Sequence, residues 1–307
     1  MRSVYCDTLI ELAKEDNRIM VVEADLMRAS GTMAFKDVYP QRAVDVGVAE
    51  ANMVGVSAGL SAAGKIPFAA TFGCFASRRV FDQFFISVNY AKLNVKLVGT
   101  DPGISAAFNG GTHMPFEDIG LMRMIPGLTI LEPSDPVSLK ALIKECAALQ
   151  GSCYIRLHRK AVDPLYSEDE TFSLGKGKVL RDGNDVTLVA LGAIMVSEAL
   201  KAAKQLESEG IQAAVIDMHT VKPLDEELVL SYARKTGAIV TAENHQVSGG
   251  LGSEVANLLS TTLPTPMAMV GIHDAFGQVG TQDWLQEHYR LTAEEIATQA
   301  KRLCAQK

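Results

Sequence analysis

The chain has 307 residues, 48% hydrophobic and 21% charged, with a formal net charge of −7, a pI near 5.4 and a mean hydropathy of +0.12. This length suffices for two α/β domains with filled cores, and the acidic balance argues against nucleic acid as the main partner, because phosphate binding calls for a basic surface. No run approaches the roughly 20 apolar residues of a membrane span, the charged N-terminus (Glu11, Lys14, Glu15, Asp16) lacks a signal-peptide core, and five cysteines without C-x-x-C spacing read as reduced, mostly buried thiols of a cytoplasmic protein.

Val4 to Lys14 reads as an amphipathic helix, and Ile19 to Val22 as a short buried strand. Further short apolar runs predict strands at Ala43–Val46, Ile66–Thr71, Val95–Gly99, Leu128–Leu131 and Tyr154–Leu157. Helical patterns fall between them, near Ala51–Ala63, Ser77–Ala91, Asp118–Met124 and Pro136–Leu149. Asp135 is placed to cap the last of these, with Pro136 at its first position. Such alternation predicts a parallel sheet covered by helices on both faces. From Ala161 to Arg181 the pattern lapses into polar and turn residues, and residues 166–180 are taken as a linker between a first domain at 1–165 and a smaller α/β domain at 181–307. The second domain repeats the alternation, with strands near Val186–Leu191, Ala213–Asp217 and Ala238–Glu243. Its helices fall near Met195–Ser208, Asp225–Lys235 and Ser253–Ser260, and the capping box Thr292-x-x-Glu295 opens a last helix to Cys304.

Glu50 stands where an apolar strand becomes a helix of small residues, in Asp45-Val-Gly-Val-Ala-Glu50-Ala-Asn-Met-Val-Gly. A carboxylate buried there needs a partner, or it raises its pKa and takes up a proton. The alternative is a helix-start carboxylate facing the macrodipole. There is no G-x-x-x-x-G-K-[ST], no G-x-G-x-x-G after a strand, no G-x-S-x-G and no metal-ligand spacing. Gly249-Gly-Leu-Gly252 is the nearest approach to a phosphate cradle, but glycine's usual structural use favours a tight turn that lets a helix pack close to a strand.

Glu50, Thr71-Phe72-Gly-Cys-Phe75, Gly110-Gly-Thr-His113 and Pro133-Ser-Asp135 form a set. In it the chain resembles the C-terminal half of transketolases, thiamine-diphosphate enzymes. Ile125-Pro-Gly-Leu128, Val221-Lys-Pro-Leu-Asp225, Glu243-Asn-His245 and Gly249-Gly-Leu-Gly-Ser-Glu254 follow in the family order. The resemblance implies a pyrimidine-binding domain followed by a transketolase C-terminal domain, and a two-carbon ketol transfer between sugars or sugar phosphates. It gives Glu50 a reason: a carboxylic acid hydrogen-bonded to the aminopyrimidine ring promotes its imino tautomer, and a pKa raised by desolvation suits that shared proton. Phe75 resembles the aromatic that stacks on that ring and Phe72 a wall of the same pocket, although either could be plain core. Asp25 looks like an acidic residue that meets the cofactor from across the interface, or else a strand-end cap. His113 is the candidate for handling substrate protons or hydroxyls, against a structural histidine. Arg159 falls where the family holds a substrate phosphate, against a solvated surface arginine.

Two departures qualify the match. Common transketolases carry a histidine where Asp101 aligns and an acidic residue where Asn109 stands. An aspartate repels a phosphate unless a cation intervenes, so Asp101 and Asn109 point to a sugar other than the standard pentose phosphates, branched or otherwise modified. The family's Mg²⁺ and diphosphate segment is missing, and the chain is about half the usual length. The resemblance therefore implies a split enzyme whose N-terminal partner subunit binds the metal and diphosphate, with two copies of each chain in a heterotetramer. The apolar surplus and the small residues Gly55, Ser57, Ala58, Gly59, Ser61, Ala62 and Ala63 suit a close subunit contact. The other readings are the beta subunit of a 2-oxo acid dehydrogenase, a deoxyxylulose-phosphate-synthase-like enzyme, and a non-catalytic scaffold subunit.

Overall fold

The computed structural model describes residues 1–307. All nine predicted apolar runs become strands, and with β7, β10 and β12 there are twelve: β1 (Ile19–Glu23), β2 (Ala43–Asp45), β3 (Ile66–Phe72), β4 (Lys96–Thr100), β5 (Thr129–Leu131), β6 (Cys153–Leu157), β7 (Lys178–Arg181), β8 (Val186–Ala190), β9 (Ala213–Asp217), β10 (Thr220–Lys222), β11 (Ile239–Gln246) and β12 (Met267–Ile272). β1, β4 and β6 are buried along their whole length. That is why they read as continuous apolar runs rather than alternating ones. The strands form a seven-stranded sheet in the order β10-β5-β6-β4-β3-β1-β2 and a five-stranded sheet in the order β12-β11-β8-β9-β7.

Within each sheet the pairing is parallel except at one edge. β7 runs antiparallel to β9, and β10 runs antiparallel to β5. Neither edge strand is among the predicted elements: each has three or four residues, too few to set up a period, and β7 begins inside the span assigned to the linker. β10 follows β9 of the smaller sheet yet pairs into the larger one, covering the edge of β5 that would otherwise offer unpaired backbone groups. The predicted cap at Asp135 is present as a reciprocal box, Ser138 N donating to Asp135 Oδ1 at 2.7 Å. The Thr292 hydroxyl likewise accepts from Glu295 N.

The predicted helix over Ser77–Ala91 is instead broken into π-helical turns at Phe75–Arg79 and Phe84–Tyr90 around a short α-helical piece, Phe81–Gln83. Such wide turns occur mostly as single insertions and often at functional sites. Here the first one carries Phe75, Arg78 and Arg79. The helix Glu50–Ala62 buries Met53, Val54, Ser57 and Ala58, and leaves Gly55, Gly59 and Ala62 exposed.

Where the two sheets meet, the join is ionic rather than purely apolar. Arg156 of β6 is fully buried; its Nε donates to Asp118 Oδ2 at 2.8 Å, its Nη1 to Glu132 Oε2, and its Nη2 to the carbonyl of Asn244 in β11 at 3.0 Å. Burial lifts Glu132 to about 7 despite that contact. Asn244 returns two bonds, accepting from Ile104 N at 3.0 Å and donating to Pro102 O at 2.9 Å. His245, buried and lowered to about 4 by desolvation, accepts from Gly120 N at 3.4 Å. Glu243-Asn244-His245 thus fastens the second sheet to the loops after β4 and before β5.

Candidate active site

Glu50, Phe72, Phe75, Asp101, His113 and Arg159 all follow the carboxyl ends of β2, β3, β4 and β6 or the loops leaving them. In open parallel sheets that is where ligands bind. Phe72 is paired with Thr100, and Thr100 with Leu157. One and two steps past those ends, Asp101 and Arg159 therefore lie beside Phe72.

A continuous chain of contacts joins these side chains. Glu50, only 3% exposed, accepts from Arg79 Nη1 at 2.7 Å. The Arg79 guanidinium lies over the Phe75 ring at 4.0 Å. The His113 ring meets Phe75 edge-on at 5.3 Å and Phe72 at 5.8 Å. Arg159 sits 5.8 Å from the Phe72 centroid, and its Nε is 3.1 Å from Asp101 Oδ1. Asp101 is buried, with φ 57°, a left-handed backbone that aspartate tolerates better than most residues. Burial raises its carboxyl above the usual range while Arg159 pulls it back.

The partner of Glu50 is the main difference from the sequence reading. In this chain alone the carboxylate accepts from a guanidinium, which stays protonated and cannot exchange roles with it, rather than from a group that passes a proton to and fro. Arg79 is also the site residue that sequence reasoning missed. Its signal was its spacing: four residues after Phe75, it lies on the same side of a helical turn. Its neighbour Arg78 ties the π-turn to the histidine loop, donating to Thr112 O at 3.0 Å and pairing with Glu117 at 3.3 Å. Thr112 Oγ1 lies 2.9 Å from His113 Nδ1, which leaves Nε2 as the nitrogen for another group. Gly73 permits this loop to close in, since a Cβ there would meet Pro115 at 2.9 Å.

Asp25 and Asn109 are not brought into this group. Asp25 is exposed, and its N–H donates to Asp45 Oδ1 at 2.9 Å. Asn109 is exposed at the end of the turn Gly103–Asn109. Beside Asp25, however, lies a carboxylate given no role from sequence. Glu23 is fully buried, accepts from Ser30 and Thr32 hydroxyls at 2.5 and 2.6 Å, and is raised to about 7 by burial. Its second oxygen has no partner. The glycine cradle is filled from within the chain: Glu243 accepts from Leu251 N at 2.7 Å and Gly252 N at 2.8 Å, capping that helix. That is the tight-turn reading, with no room for a phosphate. No group of three or more His, Cys, Asp or Glu side chains is placed to hold a metal. All five cysteines are free, four of them buried, and no helix is long and apolar enough to cross a membrane.

Residues 1–164 match the family "Transketolase, pyrimidine binding domain" and residues 175–296 match "Transketolase, C-terminal domain". The 6-deoxy-6-sulfo-D-fructose transketolase subunit SqwH of Clostridium sp. (strain MSTE9) is 53% identical over 307 residues, covering 100% of this chain and 95% of that protein. A putative transketolase C-terminal section of Methanocaldococcus jannaschii is 40% identical over 97% of this chain and 94% of its own length. Among solved structures, one described as a split gene transketolase, inactive beta4 tetramer, superposes with a TM-score of 0.93 at 44% identity, covering 99% of this chain and 98% of its own. The chain therefore belongs to the transketolase family, in the form of a separate C-terminal subunit.

Proposed function

We propose that this subunit supplies the ring-binding half of a thiamine-diphosphate site, and that with an N-terminal partner it moves a two-carbon ketol unit from a sulfonated ketose to an aldose acceptor. The observation that carries the proposal is the unbroken contact chain from Glu50 through Phe75 and His113 to Arg159. The residues fit the ring. A flat group, the Arg79 guanidinium, already lies against Phe75 and Glu50, the stacking face and the carboxyl an aminopyrimidine would use, although Glu50 accepts from Arg79 and would donate to the ring nitrogen. When bound, the cofactor supplies the carbon nucleophile that accepts the ketol unit.

The chain's own part is proton handling and orientation. Glu50 holds a proton against a ring nitrogen in a desolvated place, where its transfer costs little reorganisation. Phe75 stacks on the ring and Phe72 walls the pocket. His113 Nε2 takes or gives the proton of a substrate hydroxyl, with Thr112 fixing the ring through Nδ1. Arg159 binds the acid group of the sugar and Asp101 borders that contact. Asp25 and Asn109 act at the rim, where a partner or substrate reaches them.

The diphosphate and Mg²⁺ are assigned to the partner, as the family resemblance implies, and the Gly249–Gly252 turn is already taken by Glu243. The proposed division is a pyrimidine-binding domain to about residue 165, a linker to about 180 and a C-terminal domain beyond. The assembly has two copies of each chain, and the free thiols suit the cytoplasm. The identity to a sulfofructose transketolase subunit supports a sulfonated ketose. The decisive assay mixes this chain with its N-terminal partner, thiamine diphosphate and Mg²⁺, and offers 6-deoxy-6-sulfo-D-fructose or xylulose 5-phosphate with an aldose acceptor. Ketol transfer from the sulfonated ketose is expected. Ordinary rates on xylulose 5-phosphate without it would overturn the substrate assignment, and no transfer from either would overturn the activity.

A further inference from the structure

Arg159 is the one cation bordering the aromatic crevice on the side away from Glu50. Its side chain is about a quarter exposed, its guanidinium lies over the Phe72 ring at 5.8 Å from the centroid, and it pairs only with Asp101. Lys160, next in the chain, reaches instead toward Gln282 at 3.5 Å. An arginine in this position would bind any oxyanion, sulfonate or phosphate, by the same fork of N–H groups. What is unusual is the carboxylate behind it. The Asp101 side chain is 2% exposed, and its only hydrogen bond is a long one from Thr100 Oγ1, at 3.4 Å. Arg159 Nε lies 3.1 Å from Oδ1 without the geometry of a hydrogen bond, and Oδ1 is left without a donor. The backbone is held left-handed at φ 57° to put it there. Strain of this kind and an unsatisfied buried oxygen both cost stability and persist where something else is gained.

The geometry points to Asp101 as a charge reader: it offsets the positive charge of Arg159, so that the second negative charge of a phosphate monoester gains nothing there over the single charge of a sulfonate, an advantage it would have if Arg159 stood alone. This rests on the proposed sulfonated substrate and names the residue that selects it. A sulfonate carries one negative charge at neutral pH, whereas a phosphate monoester carries close to two. Both feel the attraction of Arg159. The second charge of the phosphate also feels Asp101 once more than the sulfonate does. One unit-charge interaction at such a range corresponds to about tenfold in affinity.

The test compares two ketoses that differ only at carbon 6, 6-deoxy-6-sulfo-D-fructose and fructose 6-phosphate, with the reconstituted wild type, Asp101→Asn and Asp101→Gly. Asparagine keeps the shape and tolerates the left-handed backbone, and glycine relieves it. Both variants are expected to raise the ratio of kcat/KM for phosphate over sulfonate by about tenfold, mainly through KM. A merely structural role would lower both substrates together and leave the ratio where it was. If the wild type uses the sulfonated ketose and neither variant moves the ratio by more than twofold, the charge-reading role is overturned and the substrate assignment stands. If the wild type uses only the phosphate, the substrate assignment falls and this inference falls with it.

Discussion

Replacing Arg156 with methionine tests whether the buried ion cluster, rather than the apolar core alone, holds the two sheets together. Arg156 is fully buried between Asp118, Glu132 and the Asn244 carbonyl. Methionine fills much of the volume but leaves two carboxylates facing one another without a cation. Breaking a buried pair by removing one partner costs about 3–5 kcal/mol, because the remaining charge is uncompensated. At about 2–4 °C per kcal/mol for a chain of this size, the melting temperature should fall by roughly 10 °C. Far-UV circular dichroism follows both sheets, while Trp284, the only tryptophan, reports the second domain. The deficit should also grow between pH 5 and pH 8. Without Arg156 the Glu132 carboxyl is raised further above its unfolded value, so the folded state holds a proton that it loses as pH rises. The triple variant Arg156→Met, Asp118→Asn, Glu132→Gln removes the stranded charges and should recover much of the loss. A single variant melting within 2–3 °C of the wild type would show that the cluster carries little of the join.

Three further outcomes follow from the site and the buried groups. Glu50→Gln keeps shape but cannot hold the exchangeable proton, so reconstituted activity should fall by about 10²–10⁴-fold, while the melting temperature changes little because Arg79 is half exposed; unchanged turnover would end the catalytic reading. Arg79→Met frees both Phe75 and Glu50, so thiamine diphosphate should bind about two- to fivefold tighter to the reconstituted enzyme in calorimetry, and weaker binding would mean that the guanidinium helps to hold the cofactor. Glu23 and Glu132, raised to about 7, and Glu243, raised to about 8, contribute stability that is present below about pH 4.5 and lost as pH rises toward 8. His158 and His245, lowered to about 4, act in the opposite sense: their contribution is present above about 6.5 and lost as pH falls toward 4. Because three carboxyls lose stability while two histidines gain it above about pH 4.5, urea midpoints should be highest near pH 4.5, fall as pH rises toward 8 and fall again below 4.5, and a flat profile from pH 4 to 9 would refute the shifts.

The parts of the fold that were legible are those in which one element carries its own signal. β1, β3, β4, β6, β8 and β9 are apolar runs of five to seven residues, long enough to distinguish from the turns that flank them. The caps at Asp135 and Thr292 are local hydrogen bonds written within four residues. By contrast, β7 and β10 exist because a neighbouring strand offers an edge, and nothing within three or four residues encodes that. The broken helix over Phe75–Tyr90 looked regular because its aromatic and branched residues recur at helical spacing, while the wide turns that re-aim Arg78 and Arg79 depend on what those side chains meet.

The same division runs through the site. Glu50, Phe75 and His113, named from residue type and motif, are brought into one group by the fold, and their chemistry belongs to the proposal. Arg79, Glu23 and the Arg156 cluster were not legible, because their roles are relational: Arg79 matters only if the turn brings it over Phe75, and Glu23 only if Ser30 and Thr32 fold back on it. Asp101 lies between these cases. From sequence it was a carboxylate where a phosphate contact was expected, and the repulsion required an intervening cation. That cation proves to be Arg159, the residue assigned to the anion itself. The conflict between Asp101 and a phosphate is thus not relieved by a third group. On the proposed reading it is carried by the substrate, a sulfonate that brings one negative charge less than a phosphate.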